Sequence, residues 1–433
     1  MTEAPRRRLG LWMATALVVG NMIGSGVFLL PASLGAYGGV SLLGWLFTST
    51  GALLLAVTFA RLARVLPKAG GPYAYTRAGF GDFAAFLVAW GYWVSVCAGN
   101  AAIAVAFVGY LGFFVPALSA SPAAGAVAAL GSIWLLTWVN ARGVREAGGV
   151  QLVTTVLKLA PLIAIGTFGL VFLEWKNFAP FNVSGDSTFS AVSATAALTL
   201  WAFLGLESAT IPAEDVERPD RTIPRATVIG TVIAAVVYVL STVGVMGVIP
   251  PERLAGSTAP FADAASAMWG PWAAGLVAAG AAVSCFGALN GWILLQGQMP
   301  LAAAMDGLMP RVFGLVSRRG TPVASLVISS VLVTAMVATN YTKGLVAEFT
   351  FVILLATMTV LVPYVFSALA LVRIAGRARP WIAVVGLLAF VYSMWAILGT
   401  GREAILWGCA LLAAGVPVYV WMARRRAAGS PAA

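Results

Sequence analysis

A short glycine-rich segment interrupts the first apolar run of the chain. The apolar residues 11–20 are followed within a few positions by Gly24-Ser25-Gly26, and the apolar run then resumes. Lipid cannot satisfy the backbone groups that such a break frees, so these groups must face protein or a wet cavity. Two half-helices that meet at a break offer amide N–H groups to a carboxylate and carbonyl groups to an amine. The pattern therefore predicts a solute site near the middle of a membrane, with the chemistry to hold an amino acid.

Two charged side chains, Glu207 and Lys158, lie deep in apolar runs. A charge at the centre of an isolated membrane helix costs about 2.5–3.5 kcal/mol, so both are expected to face the interior of a helix bundle. Glu207 follows Gly205, which permits a second break in the sixth apolar run. We expect its carboxyl group to exchange protons or to hold a cation; a carboxyl group that snorkels or bonds a neighbouring helix is the alternative.

Lys158 has two interpretations. It lies about ten residues into the fifth apolar run, where a long stem can carry the ammonium group towards the membrane surface. Alternatively, the ammonium group bonds the carbonyl groups exposed by the first break, in the place that a sodium ion takes in some membrane transporters. The second interpretation makes Lys158 a coupling residue.

The elements that must position these groups are membrane-spanning helices. The chain of 433 residues is 61% hydrophobic and 9% charged, against about 25% charged residues in soluble domains. Apolar runs of about 18–28 residues recur along nearly the whole chain and predict an all-α integral membrane protein, a single domain of about twelve transmembrane helices. The predicted spans are 11–35, 40–63, 82–115, 123–141, 148–173, 190–212, 226–249, 272–302, 321–339, 347–373, 380–399 and 403–423.

The basic residues report the orientation of the chain. Of the 26 lysines and arginines, 21 fall at the termini or in the loops that share a side with them. Positive residues concentrate on the cytoplasmic side of membrane proteins, so both termini are predicted to be cytoplasmic. The net charge of +11 is thereby explained without a nucleic-acid partner.

The two breaks also indicate an internal repeat. They are about 180 residues apart, and each opens a set of five predicted spans. Corresponding interruptions in two halves predict an inverted repeat with the substrate between them. The first repeat would cover about 11–173 and the second about 190–373, and the extra helices at 380–423 would pack against lipid or a second copy.

Three polar or aromatic residues lie where a substrate at the breaks would reach them. Trp201 precedes the second break and Trp292 lies in the eighth span. A tryptophan face near a cation contributes about 0.5–2 kcal/mol, although either ring could equally be core packing. Asn100, in the third span, either binds a substrate or bridges two helices.

Several segments together resemble a known transporter family. They are Asn21 with Gly24-Ser25-Gly26, Gly70-Gly71-Pro72-Tyr73-Ala74-Tyr75, Trp201-Ala202-Phe203-Leu204-Gly205-Leu206-Glu207-Ser208, residues 217–224, Gly291-Trp292 and Val362-Pro363-Tyr364. In this order and over almost the entire chain, they resemble the amino acid–polyamine–organocation (APC) superfamily. Within it, they are most similar to bacterial basic amino acid and polyamine antiporters of the arginine/agmatine and ornithine/putrescine type.

The resemblance implies a fold, a location and a set of partners. The fold is a twelve-helix, five-plus-five inverted repeat of the LeuT type, with discontinuous helices 1 and 6, that works by alternating access. The protein would be a multi-pass protein of the bacterial inner membrane, commonly a homodimer, surrounded by lipid. It would bind a small amino acid or amine, and it would need no cofactor and no metal.

The resemblance also implies roles for single residues. Amide groups around Ser25 and Gly26 would bind the substrate carboxylate, and carbonyl groups of residues 201–204 its α-amine, while Trp292 and Asn100 would contact the distal cation. In full, it assigns substrate binding to Asn21, Ile23, Gly24, Ser25, Gly26, Ser95, Val96, Asn100, Trp201, Ala202, Leu204, Glu207, Trp292 and Ala356; gating to Tyr73, Tyr92, Trp201, Glu207 and Tyr364; and coupling to Lys158 and Glu207.

Four departures from the arginine exchangers leave the substrate open. Ala356 and Ala202 stand where those exchangers have serine, Ile103 where they have methionine, and Ser95-Val96 where they have Ala-Cys. Ornithine, lysine, a diamine or a neutral amino acid all remain candidates. Lys158 resembles the fifth-span lysine of proton-coupled or sodium-independent general amino-acid transporters, which are the main alternative.

Other function classes fit the sequence less well. A channel or a substrate-sensing receptor is a more distant alternative. An enzyme is not expected, because the chain has no histidine and no cluster of acids, cysteines or hydroxyls that suggests a metal or nucleophile site.

Overall fold

The computed structural model describes residues 8–24, 26–257, 259–343, 346–375 and 379–429. In this part of the chain nearly all regular structure is helical, and the one isolated β-bridge joins Leu9 to Val216. The helices, in chain order, are α1 (Leu11–Met22), α2 (Leu30–Gly35), α3 (Ser41–Val65), α4 (Pro72–Phe80), α5 (Asp82–Leu111), α6 (Ala117–Ala120), α7 (Pro122–Arg142), α8 (Val144–Phe168), α9 (Thr188–Leu200), α10 (Pro219–Val248), α11 (Pro251–Ala255), α12 (Pro260–Trp269), α13 (Trp272–Met305), α14 (Val323–Lys343), α15 (Val346–Ala375), α16 (Pro380–Gly399) and α17 (Arg402–Gly429).

The long helices coincide with the predicted spans. Among the described residues, ten helical segments are long and apolar enough to cross a membrane, and two shorter apolar helices, Leu11–Met22 and Val323–Ala338, lie in the predicted first and ninth spans. A bilayer core of about 30 Å needs about 20 helical residues. The all-α membrane architecture predicted from the apolar runs is therefore confirmed.

Helix boundaries follow local sequence signals. α7 begins where Ser121 accepts a hydrogen bond from the Ala124 N–H at 3.3 Å and Pro122 occupies the first turn. Serine supplies an acceptor for an otherwise unpaired amide, and proline loses nothing at a position where its missing N–H has no helical partner. α9 begins with the same kind of serine cap, since Ser187 accepts a hydrogen bond from the Ser190 N–H at 3.3 Å.

The first predicted break is present. α1 ends at Met22, Ile23 has an extended backbone, and the chain re-enters helical structure through a 3₁₀ turn at Gly26–Phe28 before α2. Nearly all of the second half of α1 is buried. The break therefore lies inside the bundle, where backbone groups can bind other parts of the protein.

The second break is longer than the sequence indicates. After α9 the chain makes a 3₁₀ turn at Trp201–Phe203, an extended residue at Leu204 and a positive-φ residue at Gly205 (φ 104°). Glycine is the residue that adopts this conformation without strain. The rest of the predicted span forms 3₁₀ turns, because Ser208 and Thr210 hydroxyls donate to the carbonyl groups of Gly205 and Glu207 and compete with α-helical bonding.

The helices pack so that both breaks lie at the centre. α1 packs against α8, α10 and α13, while α13 also packs against α5, and α10 against α3. α16 and α17 lie at the edge, against α15, α3 and α5. Their outer faces carry large exposed apolar residues, among them Trp381, Leu388 and Trp407. This placement suits lipid or a second copy, and the boundaries of the repeats remain a prediction.

Candidate substrate site

The two breaks enclose a cavity. It has a volume of about 100 Å³ and is walled by α1, α5, α13, α15 and the second break. Ten of the predicted substrate residues line it: Asn21, Gly24, Gly26, Ser95, Val96, Trp201, Ala202, Leu204, Trp292 and Ala356. The two segments that the sequence marks as broken thus meet at one site.

Six further residues line the cavity. They are Met22, Val27, Gly99, Ala102, Ile103 and Val360. Of these, only Ile103 was singled out in the sequence. Helical spacing is a signal that finds some of the others, since Gly99 lies three residues after Val96 on α5 and Val360 four residues after Ala356 on α15.

Asn21 connects the two breaks. Its amide nitrogen donates to the Ser208 hydroxyl at 2.8 Å, and that hydroxyl donates to the Gly205 carbonyl at 2.6 Å. The side chain is 4% exposed. Within the described part of the chain its oxygen has no hydrogen-bond partner. This oxygen lies against Gly291 of α13, so the residue that connects the two breaks keeps a buried acceptor beside the cavity.

Two tryptophans border the cavity and are half-buried. The Trp292 indole N–H donates to the Asn21 carbonyl at 3.2 Å, which fixes the ring against the first break. Trp201 lies against Gly26 so closely that a Cβ atom there would overlap the ring. Glycine at position 26 is therefore required by the approach of Trp201.

The backbone of the second break is partly engaged already. The Ala202 carbonyl accepts a hydrogen bond from the Tyr238 hydroxyl at 2.8 Å, and the Trp201 carbonyl accepts one from the Leu204 N–H at 3.2 Å. Tyr238 is fully buried and stacks on Trp45 at 5.2 Å between ring centroids. Sequence reasoning missed Tyr238, because nothing in its own segment indicates that it reaches the break.

Glu207 lies behind the cavity wall instead of lining it. Its side chain is fully buried, and it accepts hydrogen bonds from the Tyr92 hydroxyl at 2.6 Å and from the Tyr364 hydroxyl. The Tyr364 hydroxyl also accepts a hydrogen bond from the Gly205 N–H at 3.1 Å. Three predicted gating residues therefore form one closed layer. Both carboxylate oxygens of Glu207 accept hydrogen bonds from tyrosines and neither faces the cavity, so contact between Glu207 and substrate stays a prediction.

Asn100 and Ile23 also lie outside the cavity. Asn100 is fully buried and donates to the Gln296 side chain of α13 at 2.7 Å, so it faces a neighbouring helix. This corresponds to the bridging alternative. The Ile23 side chain is fully buried and only its backbone is engaged near the break. Ser95 does line the cavity, but its hydroxyl donates to the Gly91 carbonyl at 2.6 Å and contacts Thr359. Ser25 lies outside the described residues.

Lys158 is held at the first break. Its ammonium group donates to the Gly20 carbonyl at 2.7 Å and to the Ile23 carbonyl at 2.6 Å, with the Ser284 carbonyl at 3.4 Å. The side chain is fully buried, so it does not reach the membrane surface. The Ser284 hydroxyl adds hydrogen bonds of 3.1 Å to Ile23 and Gly24. The terminal nitrogen of Lys158 thus binds the carbonyl groups that the break exposes.

Tyr73 lies away from the cavity, at one end of the bundle. It is on α4, and its hydroxyl donates to the Asp306 carboxylate at 2.9 Å. Burial and the neighbouring Asp306 carboxylate raise the pKa of Tyr73 above its usual range. The phenol therefore stays protonated and remains a donor. A second cavity of about 590 Å³, lined in part by Arg77, Asp215 and Asp306, lies at the same end.

Comparison with known proteins identifies the family of the chain. The sequence profile of the family described as "Amino acid permease" matches residues 9–423. The chain is 33% identical over 431 residues to the "Putrescine transporter PotE" of Escherichia coli (strain K12), covering 97% of each chain. It is 34% identical over 407 residues to the "Cadaverine/lysine antiporter" of the same strain, covering 91% of this chain and 90% of the relative.

A solved structure shares the fold. It is a substrate-bound, outward-open Na⁺-coupled sialic acid symporter, matched with a TM-score of 0.60 and 10% sequence identity over 92% of this chain and 90% of the other. At this identity the likeness concerns the fold alone. The predicted LeuT-type architecture and the predicted superfamily are both confirmed. The chain is a membrane transporter, not an enzyme, and it belongs to the amino acid permease family of the APC superfamily.

Proposed function

We propose that this protein exchanges a basic amino acid for an amine across the bacterial inner membrane by alternating access. One observation carries the proposal: two broken helices enclose a cavity whose wall offers backbone amides, carbonyl groups and the rings of Trp201 and Trp292. This combination matches a molecule with a carboxylate, an amine and a second cation. The relatives named for putrescine and for cadaverine/lysine support the same substrate class.

The geometry supports a division of labour within the cavity. The N–H group at Gly26 would bind the substrate carboxylate, since the first amides of the turn that begins there have no partner within the turn. The Gly24 N–H donates to the Met22 carbonyl at 3.1 Å and would have to leave it to take part. The carbonyl groups of the second break would bind the α-amine. The distal cation would lie against Trp292. A decarboxylated amine has no carboxylate, so it would lose only the contacts with the N–H groups at the first break. One cavity can therefore accept both partners of an exchange.

Two closed layers support alternating access. The first is Tyr92, Glu207 and Tyr364 directly behind the cavity, and the second is Tyr73 with Asp306 at the end of the bundle. Substrate must pass both layers to leave on that side. We infer that they separate when the opposite side closes, and that Glu207 then becomes accessible to a proton or to the cationic substrate.

Lys158 supports transport without sodium. Its ammonium group already satisfies the Gly20 and Ile23 carbonyl groups, so the first break needs no metal cation to hold its shape. Loss of a proton from Lys158, or movement of its side chain, would couple the break to the transport cycle.

A neutral amino acid is the second candidate substrate. The cavity wall contains Val96, Ile103, Ala202, Ala356 and Val360, and none of the described residues that line it carries a formal charge. An apolar side chain would bury favourably there. On this alternative the protein would be a proton-coupled or sodium-independent general amino-acid transporter.

Orientation and assembly are also proposals. The distribution of arginines and lysines supports cytoplasmic termini. The exposed apolar faces of α16 and α17 support a homodimer in the plane of the membrane.

Counterflow into proteoliposomes tests the proposed function. Liposomes preloaded with lysine, ornithine, arginine, putrescine, cadaverine or leucine would be given radiolabelled lysine or putrescine outside. Uptake that requires a preloaded cationic substrate, and that is absent from protein-free liposomes, is expected. Exchange driven best by leucine would favour the neutral alternative, and uptake that ignores the internal solute would contradict an exchanger.

A further inference from the structure

Five charged or phenolic side chains form a continuous chain at the end of the bundle that carries Tyr73. Arg426 donates to Asp82 at 2.9 Å, and Asp82 accepts a second hydrogen bond from Arg77 at 2.8 Å. Arg77 also pairs with Asp306 at 2.5 Å, and Asp306 accepts from the Tyr73 hydroxyl at 2.9 Å. Every link is an ion pair or a charge-assisted hydrogen bond, so the five groups form one network.

The network ties together four separate elements. Asp82 begins α5, Tyr73 and Arg77 are on α4, Asp306 follows α13, and Arg426 is near the end of α17. Arg426 also donates through its Nε atom to the Gly307 carbonyl at 2.7 Å, in the turn after α13. The last helix, which lies outside both predicted repeats, therefore holds the ends of α5 and α13 together next to α4.

α4 is the element that this network would hold in place. Just before it, the Gly70 N–H donates to the Ile211 carbonyl at 2.8 Å, and a Cβ atom at Gly71 would overlap Thr210. The short helix thus packs directly against the chain that follows the second break. It also borders the cavity of about 590 Å³ at the same end of the bundle. Moving α4 would change access from that end to the substrate cavity.

We propose that Arg426 is a positioning residue that latches α4 closed and so sets the balance between the two open states of the transporter. The inference rests on the proposed alternating access. In the closed state, Arg426 neutralises Asp82 and pins the Gly307 turn, which leaves Arg77 aligned with Asp306 and Tyr73. When the path opens at this end, α4 carries Tyr73 and Arg77 away from Asp306, and the network must break.

The size of the effect follows from the exposure of the network. The side chains of Arg426, Asp82, Arg77 and Asp306 are 35–40% exposed. Pairs at this exposure are weak one at a time. Losing the latch is therefore expected to shift the ratio of the two open states by about two- to fivefold without unfolding the protein.

Thiol labelling of the substrate cavity tests the latch. Cys97, Cys285 and Cys409 would be replaced, and Ala356→Cys would place one thiol in the cavity wall. A charged, membrane-impermeant thiol reagent would be added from each side of the membrane in turn. Arg426→Gln is expected to raise the labelling rate from the Tyr73 end by about two- to fivefold and to lower the rate from the other side.

The matched control is Arg425→Gln. Arg425 is the preceding residue on α17, and its guanidinium stacks on Trp421 of the same helix at 4.2 Å. This variant should label like the parent protein from both sides. Asp82→Asn should shift the labelling rates in the same direction as Arg426→Gln. The double variant should show no more than the larger of the two single effects. Arg426→Lys should bring the labelling rates part of the way back to those of the parent protein.

Labelling identical to that of Arg425→Gln from both sides would overturn the latch. If Arg426→Gln fails to fold, the comparison of Asp82→Asn and Arg426→Lys with the parent decides in its place. The labelling needs no substrate, so a failed proposed function is distinguishable: a chain that shows the shift but exchanges no cationic amino acid or amine would refute the substrate and keep the latch.

Discussion

The two helix breaks occupy corresponding places in the two halves of the chain, yet they are stabilised differently. At the first break, the exposed carbonyl groups of Gly20 and Ile23 bind the ammonium group of Lys158, which comes from α8. At the second break, neutral hydroxyl groups bind the carbonyl groups: the Ser208 hydroxyl donates to the Gly205 carbonyl and the Tyr238 hydroxyl to the Ala202 carbonyl. The first break thus depends on an ammonium group from a distant helix, assisted by the Ser284 hydroxyl, and the second on neutral local and neighbouring groups.

The difference suggests a difference in behaviour. A break held by a buried charge keeps its shape as long as the charge, or a replacement cation, is present. A break held by several hydroxyl groups can exchange partners one at a time, because each hydroxyl both donates and accepts. We therefore expect the first break to set the ionic requirement of transport and the second to move with the gate that contains Glu207.

Removing the charge at the first break should have the largest effect. Lys158→Ala removes the donor to the buried Gly20 carbonyl and leaves the Ile23 carbonyl with the Ser284 hydroxyl alone among the side-chain donors described at the break. A buried carbonyl left without a donor costs about 1–3 kcal/mol. We expect transport to stop or to become dependent on added sodium, measured as initial uptake rates with and without sodium. Lys176→Ala, at an exposed loop lysine, is the control. A Lys158→Ala protein with normal rate, pH dependence and sodium response would remove Lys158 from the coupling mechanism.

Removing the acid behind the second break should come next. Glu207→Gln keeps an acceptor oxygen for one of the two tyrosines, replaces the other oxygen with an NH₂ donor and removes the acid. A hydrogen bond to a charged group contributes about 1.5–3 kcal/mol. We expect transport of cationic substrates, or its response to pH, to be lost while the protein stays folded. The more disruptive Glu207→Ala should show the same loss. Glu174→Gln, at an exposed glutamate, should change neither the transport rate nor its response to pH. Unchanged transport from pH 5 to 8 in Glu207→Gln would count against a role of Glu207 in coupling.

A neutral hydroxyl at the second break should matter less. Tyr238→Phe removes the donor to the Ala202 carbonyl, at a cost of about 1–3 kcal/mol. A lower Tm and a higher KM are the expected results. Tyr392→Phe is the matched control, since it removes a buried hydroxyl whose contact with the Thr48 carbonyl is longer, at 3.4 Å. Equal effects of the two substitutions would show that Tyr238 only packs.

The smallest effect should come from the cavity wall. Trp292→Leu removes an aromatic face, and we expect binding of a cationic substrate to weaken by about 1–2 kcal/mol more than binding of a neutral one. Competition of each substrate against labelled lysine measures the difference. Trp175→Leu, at an 80% exposed position, is the control. Equal losses for both substrates would reduce Trp292 to packing.

The first break and its charge were predictable because both are local signals. Gly24-Ser25-Gly26 interrupts an apolar run, and Lys158 is a charge inside another run. Membrane physics alone requires each to be satisfied inside the protein. That the two satisfy each other was one of two interpretations open at the sequence level.

Features that depend on packing between helices were harder to predict from the sequence. The sequence places Asn100 in a span but does not say which neighbour its amide faces, and the structure turns it towards Gln296. The closure of Tyr92 and Tyr364 over Glu207 joins three distant spans, and periodicity within one span carries no information about such a contact. The sequence does not indicate the contacts of Arg426 either, because an arginine near the end of the chain is normally explained by membrane orientation alone.

Counterflow in sodium-free buffer tests most directly whether the cavity between the breaks exchanges cationic substrates with Lys158 in the place of a metal ion. Proteoliposomes preloaded with cadaverine or putrescine, with choline as the only other cation, would be given labelled lysine. Rapid uptake that needs the internal amine and is unchanged by added sodium is the predicted result. Uptake that requires sodium, or that proceeds equally into liposomes without an internal amine, would contradict it.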